Sequence, residues 1–448
     1  MNILLVRPPR IKQAITLSSF MFSEPIGLEM IYEVLYKNHN VEIFDMMIEK
    51  KTLSEKLLDF KAHMVGITSL CIDVKIALQL AKEIKKIDKD ILIMVGGTQA
   101  FLNPQSFAED SIDYIFKYTN TENILAVTKK EKNIPGVLQR REDFVDLKIP
   151  GRNEYLLPNR ESTSKYRNDY SYFGYKPAAI MEYGIGCEKA CDFCLRWRIE
   201  GFKEDLINKD LFIKDILSIK EETIMLFDND FFSSAEKLES FIGIIKKYNL
   251  KKNFIVYGSV QGTLLYKDLI SDFRDLGLKA VLIGYETFND KELKNYNKNT
   301  DSSDNIKASK ILKELGIDVW ASFIAHPDWT KEDFKSFRKH IKKLNPQISS
   351  INPLTPFPNL PLYKEYEDRL LYKVDDYEKW SFGQVIIRPL NMSLRSYYFE
   401  LLKAYIDINL FINNSTEMIK KYGIKNMTRI ILGSVGASFK YIKLMIRN

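Results

Sequence analysis

The sequence is poor in the features that would send a chain into a membrane, through a secretory route or onto nucleic acid. Among its 448 residues no apolar run approaches the roughly 20 needed to span a bilayer. The segment from Met1 to Pro9 becomes strand-like and apolar at once, without the charged start, apolar stretch and small-residue cleavage site of a signal peptide. A formal net charge of +7 is modest for this length, and no aromatic-basic pattern of an RNA-binding module accompanies it. Neither a fixed-period repeat nor a low-complexity tract is present. These readings predict a cytoplasmic location, no nucleic-acid partner and thiols kept reduced. Cysteine and histidine are scarce at four each, yet three of the cysteines fall within eight consecutive residues. A disulfide framework is not distributed in that way; clustered reduced thiols point to a metal site.

What is present is an α/β pattern, twice over. Across residues 1–125 strands are predicted at Ile3–Val6, Val41–Phe44, Met64–Ile67 and Ile91–Val95, with a helix over Ile72–Ile87, the alternation of a parallel sheet. Residues 126–175 are charged and then rich in Asn, Ser, Tyr and Arg, and read as a linker or cap with little regular structure. A second alternation fills 176–365. Its strands are predicted at Ala178–Tyr183, Thr223–Phe227, Phe254–Tyr257, Ala280–Gly284, Val319–Ile324 and Ile348–Asn352. Helices are predicted at Lys209–Lys220, Ser234–Lys247, Ser303–Leu315 and Lys331–Leu344, giving six β/α units, an incomplete barrel rather than the full eight. The remainder, 366–448, reads as mainly helical.

The cysteines Cys187, Cys191 and Cys194 follow the first barrel strand. Three thiolates on one loop can ligate three irons of a cubane cluster and leave the fourth iron open to chelation. Structural zinc is the plainer reading, but it ordinarily takes four ligands from paired Cys or His motifs. The other candidates, Cys71, His39, His63, His326 and His340, all lie far off in sequence.

The Cys-x3-Cys-x2-Cys spacing, with Phe193 before the last cysteine, resembles the radical S-adenosylmethionine superfamily. The resemblance implies a [4Fe–4S] cluster on Cys187, Cys191 and Cys194, its open iron chelated by the amino and carboxylate groups of S-adenosylmethionine. It also implies reductive cleavage of that cofactor to methionine and a 5′-deoxyadenosyl radical, with an electron donor such as flavodoxin or ferredoxin. Phe193, Asp228, Asp230, Gln261 and Glu286 are the residues it assigns to S-adenosylmethionine. Asp228 and Asp230 close the second barrel strand two residues apart, so both can point one way; a solvated turn before a capped helix is the plainer alternative. Glu286 sits in Gly284-Tyr285-Glu286-Thr287, which resembles a Gly-x-Glu-Ser segment, and Gln261 follows Tyr257-Gly258-Ser259.

An α/β domain ahead of such a barrel resembles the cobalamin-binding subclass, whose domain normally carries Asp-x-His-x-x-Gly, Ser-x-Leu and Gly-Gly. Here Asp45 is present, but Met47 stands at the histidine position and Lys50 at the glycine position. Ser69, Leu70, Gly96 and Gly97 retain the other two signatures in approximate form and would hold cobalamin. The resemblance therefore implies cobalamin without a lower histidine ligand, or else a degenerate domain that binds none. Met47 is expected in the core, and Cys71 as a small buried hydrophobe rather than a neighbour of cobalt. The fold class implied is α/β: a Rossmann-like cobalamin-binding domain, a partial (β/α)6 TIM-type radical barrel and a C-terminal helical region. The activity implied is methylation of an unactivated carbon of a small-molecule or lipid-like substrate, through methylcobalamin and the radical. Rearrangement, ring formation or hydrogen abstraction without methyl transfer is the competing expectation.

After Glu417 no acidic residue occurs, whereas Lys420, Lys421, Lys425, Arg429, Lys440, Lys443 and Arg447 do. Such a segment either docks with a solvated basic face or makes peripheral contact with an anionic membrane. Gly433 and Gly436 weaken the expectation of a continuous helix there.

Overall fold

The first four predicted strands pair side by side. They are β1 (Asn2–Arg7), β2 (Asn40–Asp45), β3 (Met64–Thr68) and β4 (Leu92–Gly96), and the sheet continues through β5 (Tyr114–Phe116) and β6 (Val137–Gln139). A computed structural model describes residues 1–9, 21–139, 153–408 and 415–447. The order is β2-β1-β3-β4-β5-β6, parallel except for the last pair. Leu4, Val6, Val65 and Val95 face one apolar layer and Ile3, Leu5, Met64 and Met94 the other. Burial on both faces explains why these strands read as continuous apolar runs.

The second sheet comprises β7 (Ala178–Met181), β8 (Thr223–Leu226), β9 (Asn253–Gly258), β10 (Leu278–Glu286), β11 (Asp318–Ala325) and β12 (Ile348–Pro353). All five pairings are parallel, in the order β12-β11-β10-β9-β8-β7. Alternation then sorts the side chains. Ala179, Met181, Ile224, Leu226, Val281 and Val319 pack outward under the helices. Ala178, Ile180, Met225, Ile255, Ala280 and Trp320 point inward, where Tyr172 and Phe173 join them as a plug. The Trp320 ring lies 4.5 Å from Phe173 and 6.3 Å from Tyr172. The barrel helices come out as Lys209–Ser218, Ala235–Tyr248, Ser302–Glu314 and Lys331–Leu344, within two residues of expectation. The Ser234 and Thr330 side chains accept from the backbone N–H three residues on, which sets two of their starts.

Three expectations need correction. The segment 126–175 is more ordered than its composition suggests, although 140–152 lie outside the described residues. Its β6 extends the first sheet, its Arg160–Asp169 stretch forms 3-10 turns, and Ser171–Tyr172 pairs with Met21–Phe22. Met47 is half-buried and belongs to neither apolar layer. Gly433 and Gly436 do not interrupt the final helix; the break comes at Gly423, whose φ is +77°. Among the described residues no helix is long and apolar enough to cross a membrane.

That 126–175 segment carries the joint between the two sheets. The Arg160 guanidinium donates from Nε and Nη2 to the two oxygens of Asp215, each at 2.8 Å, and from Nη1 to Glu24 Oε1 at 2.8 Å. Glu24 Oε1 in turn accepts from the Ile180 backbone N–H at 2.9 Å. Arg167 pairs with Glu221 and, at 3.2 Å, with Glu29, which also accepts from the Thr163 hydroxyl. Both guanidiniums and all four carboxylates are buried or nearly so, and acids outnumber cations by two. Such an excess favours a retained proton. Burial pushes the Glu29 carboxyl up to about 7 against the opposing pull of Arg160, with Glu24 adding to the rise.

The unfolded chain gives up that proton near the ordinary glutamate value. Between there and about pH 7 the folded state alone holds it, so this group's contribution to stability falls as pH rises. Glu29→Gln is expected to lose that contribution to the slope. Calorimetric melting temperatures of variant and parent should diverge between about pH 5 and 7; parallel curves would remove the proton from Glu29.

Candidate active site at the barrel mouth

The cysteine loop leaves β7 through Gly184–Ile185, which pairs with Asp205–Leu206. Gly186 then turns with φ +105°, and a Cβ there would sit 2.1 Å from the Lys203 carbonyl oxygen, so no other residue fits. The loop is fastened along its length. Cys187 N–H donates to the Gly201 oxygen at 3.1 Å, Cys194 N–H to the Cys191 oxygen at 3.1 Å, and Trp197 Nε1 to the same Cys191 oxygen at 2.9 Å. Asn229 Nδ2 donates to the Gly186 oxygen at 3.0 Å, and Lys189 Nζ lies 2.6 Å from Asp230 Oδ2.

The two predicted aspartates part company here. Asp228 is fully buried, its oxygens accepting from Tyr183 N–H at 2.8 Å and Gly184 N–H at 2.7 Å, with Lys237 Nζ at 2.8 Å. It faces the loop's backbone rather than open space. Asp230 Oδ1 accepts from Phe232 and Ser259 N–H, while Oδ2 reaches Lys189 at the edge of a cleft. That cleft is small, open to solvent on one side, and lined by Lys189, Cys191, Ser259, Gln261, Gly284 and Lys298 among others. Asp230 is therefore linked to the cleft that Gln261 lines, while Asp228 supports the loop behind it.

Glu286 enters the same neighbourhood through a register shift between β10 and β11, with φ +62°. Gly284 makes room for it, since a Cβ there would lie 2.2 Å from Glu286 Oε1. Lys298 Nζ sits 2.9 Å from that oxygen and 5.5 Å from the centroid of Phe193, whose ring also meets Tyr296 edge-on at 5.4 Å. Nothing in sequence pattern marks Lys298; a loop brings it in. Lys189, Lys237 and the Arg196–Glu182 pair (3.2 Å) were equally invisible. Burial pushes the Glu182 carboxyl up to about 8.

The donor chemistry fits a cluster held by thiolates. Burial raises all three thiols, Cys191 to about 11, with the Lys298 ammonium pulling the other way at Cys191 and Cys194. A coordinated cation deprotonates a thiol outright. Among the described residues no three of these side chains are gathered around one point as a single-ion site; a cubane spreads its thiolates over separate irons.

The carboxyl edge of the first sheet lies against this mouth. The short helix Thr98–Leu102 packs on Arg196–Glu200, and Asn359 Nδ2 donates to the Leu102 oxygen at 3.3 Å. Along that edge Ser69 is buried and its N–H donates to the Gly96 oxygen at 2.9 Å, whereas Leu70 is 53% exposed. Gly97 has φ +100° and crosses the Ser69 backbone too closely for a Cβ. Asp45 is spoken for, accepting from Arg7 at 3.3 Å, the Tyr170 hydroxyl at 3.1 Å and Met47 N–H at 3.0 Å. Cys71 is half-buried, its sulfur 4.0 Å from the Tyr377 oxygen, and burial pushes its thiol up to about 12.

Comparison with known proteins agrees with this arrangement. The Radical SAM superfamily pattern matches residues 181–341 and the B12 binding domain pattern residues 13–127. The hopanoid C-3 methylase of Methylococcus capsulatus is 24% identical over 397 residues, 86% of this chain and 76% of that protein. The anaerobic magnesium-protoporphyrin IX monomethyl ester cyclase of Rubrivivax gelatinosus is 24% identical over 371 residues, 76% of this chain and 65% of that one. Among solved structures, the methyltransferase TsrM of Kitasatospora setae, with cobalamin and a [4Fe–4S] cluster bound, shares the fold at a TM-score of 0.68, with 13% identity and 90% of each chain covered.

Removing the Lys298 charge would leave Glu286 in a mostly buried setting without its cation. Lys298→Met is expected to cost about 3 kcal/mol in urea unfolding. The Lys298→Met, Glu286→Gln double variant should recover most of that; a double-variant loss equal to the sum of the Lys298→Met and Glu286→Gln losses would mean the pair is not coupled.

Proposed function

Because the chain belongs to the cobalamin-binding radical S-adenosylmethionine enzyme family, we propose that it methylates an unactivated carbon of a small-molecule or lipid-like substrate. The observation that carries this reading is the apposition of two edges. The carboxyl edge bearing Ser69, Leu70, Gly96 and Gly97 meets the mouth bearing Cys187, Cys191 and Cys194. In this reading the two domains are 1–125, its sheet completed by β6, and 176–365, with the rest of 126–175 as the connecting cap and 366–448 as the C-terminal region. When bound, the cluster would supply the electron that cleaves S-adenosylmethionine, and cobalamin would carry the methyl group.

The chain's own residues then divide the work. The three cysteines hold the cluster. Gln261 lines the cleft beside Cys191, and Asp230, Glu286 and Phe193 meet its lining lysines, Lys189 and Lys298; together they orient S-adenosylmethionine, and Asp228 positions the loop through Tyr183 and Gly184. Lys298 holds the Glu286 carboxylate and brings positive charge to the thiolates. Ser69, Leu70 and the two glycines would form the seat for cobalamin, and Met47 stands where the resembled subclass carries its histidine. Holding the partners in register is what such a transfer demands, since reaction requires atoms already within contact distance. The electron arrives from a small reduced donor such as a flavodoxin or ferredoxin.

The likeness to cyclases favours one second reading, ring formation or another radical reaction without methyl transfer. Product analysis after anaerobic reconstitution separates the two: methyl transfer yields S-adenosylhomocysteine together with 5′-deoxyadenosine, whereas 5′-deoxyadenosine alone sustains the second reading. Replacing Cys187, Cys191 and Cys194 together by Ala is expected to abolish iron loading and cofactor cleavage while leaving cobalamin uptake intact, as iron assay and absorbance spectra would report. If the chain takes up cobalamin, the EPR spectrum of its cob(II) form should lack nitrogen splitting from a protein imidazole, and such splitting would overturn the missing lower ligand.

A further inference from the structure

The final helix, Ser415–Arg447, buries one side and leaves an apolar stripe on another. Tyr441 is 4% exposed and packs against Tyr398 and Tyr405 of the helix Leu394–Asp407, at ring distances of 6.1 and 6.4 Å. Leu444 and Met445 share that contact with the core. Beyond the break at Gly423, however, Ile424, Leu432, Val435, Phe439 and Ile446 are all exposed, from 44% at Val435 to 75% at Ile424. At 3.6 residues per turn these five positions fall within an arc of about 80°, on a side turned away from Tyr441. Scattered exposed apolar residues need no explanation, but five apolar side chains gathered on one helix face mark an interaction surface.

We propose that this stripe lies in the interface of an anionic phospholipid bilayer, with the helix parallel to the membrane plane. Charge decides between occupants. Seven Lys or Arg and no Asp or Glu follow Glu417, and of these Lys420, Lys443 and Arg447 are exposed. A second copy docked along the stripe would bring two such helices together, like charge against like. An anionic headgroup layer instead complements the cations while acyl chains take up Phe439, Leu432 and their neighbours, the arrangement of an interfacial amphipathic helix. The helix is too polar to cross, so it rests on the surface. The sequence left a solvated docked face and a membrane face open; the exposed stripe favours the second.

The test is co-sedimentation of the full-length protein with vesicles. It should pellet with vesicles of phosphatidylglycerol and phosphatidylcholine in equal parts, lose most of that binding at high salt, and stay in solution with phosphatidylcholine alone. Leu432→Glu combined with Phe439→Glu should weaken binding about tenfold or more, with an unchanged circular-dichroism melt showing that the fold is intact. A second pair, Lys443→Gln with Arg447→Gln, should weaken it less and flatten the salt dependence. No pelleting with the anionic vesicles, or pelleting indifferent to the apolar pair, overturns the proposal. So does a dimer in lipid-free sedimentation that the Leu432→Glu, Phe439→Glu variant abolishes, which would assign the stripe to a second copy of the chain.

Discussion

Arg160 holds the molecule in its working shape. Its guanidinium reaches a helix of the barrel through Asp215 and the start of the first domain's helix Ile26–Leu35 through Glu24, from a turn that belongs to neither sheet. Taking such charges out of water is expensive, and their mutual attraction offsets the expense only when every donor is well aimed. The bidentate geometry at Asp215 meets that condition. A network of this kind stabilises one relative placement of the two domains more than it stabilises either domain. That placement brings the edge bearing Gly97 against the loop bearing Cys191.

The same logic recurs, smaller, around the cysteine loop. Lys237 satisfies Asp228 from behind, Lys189 fastens the loop to Asp230, and Lys298 stands between Glu286 and the thiols. Lys189 and Lys298 each have one carboxylate in close range and Lys237 has two, Asp228 and Glu204, so the loop is electrically tied to the ends of strands β8 and β10. Gly186 and Gly284 supply the space for this arrangement. One relieves the turn and the other clears room for a carboxylate.

How much of this could be read from the chain follows from how local each signal is. All six barrel strands and four of the helices between them were legible because burial on one or both faces writes itself as period; the helices Val260–Leu265, Lys267–Asp275 and Asp290–Asn295 were not foreseen. The loop from Cys187 to Cys194 was legible because its ligands are contiguous. Arg160, Arg167, Glu24, Glu29, Asp215 and Glu221 were not, since six residues spread over two hundred positions leave no pattern until the chain has folded. Lys298 was missed for the same reason. Composition also misled: the Asn-, Ser- and Arg-rich stretch near 160 read as a linker or cap with little regular structure, yet its Arg160 and Arg167 are buried or nearly so against opposite charge. The Asp228–Asp230 pair shows a subtler limit, because spacing told that both lie at the strand's end but not that one turns inward to the backbone.

The plug of Tyr172, Phe173 and Trp320 fills the barrel interior with aromatic rings. Space that rings occupy is closed to a reactant, so the loops at the strand ends carry the chemistry while the strands carry the packing. Substitutions in those loops can therefore change what is bound without disturbing the core beneath them.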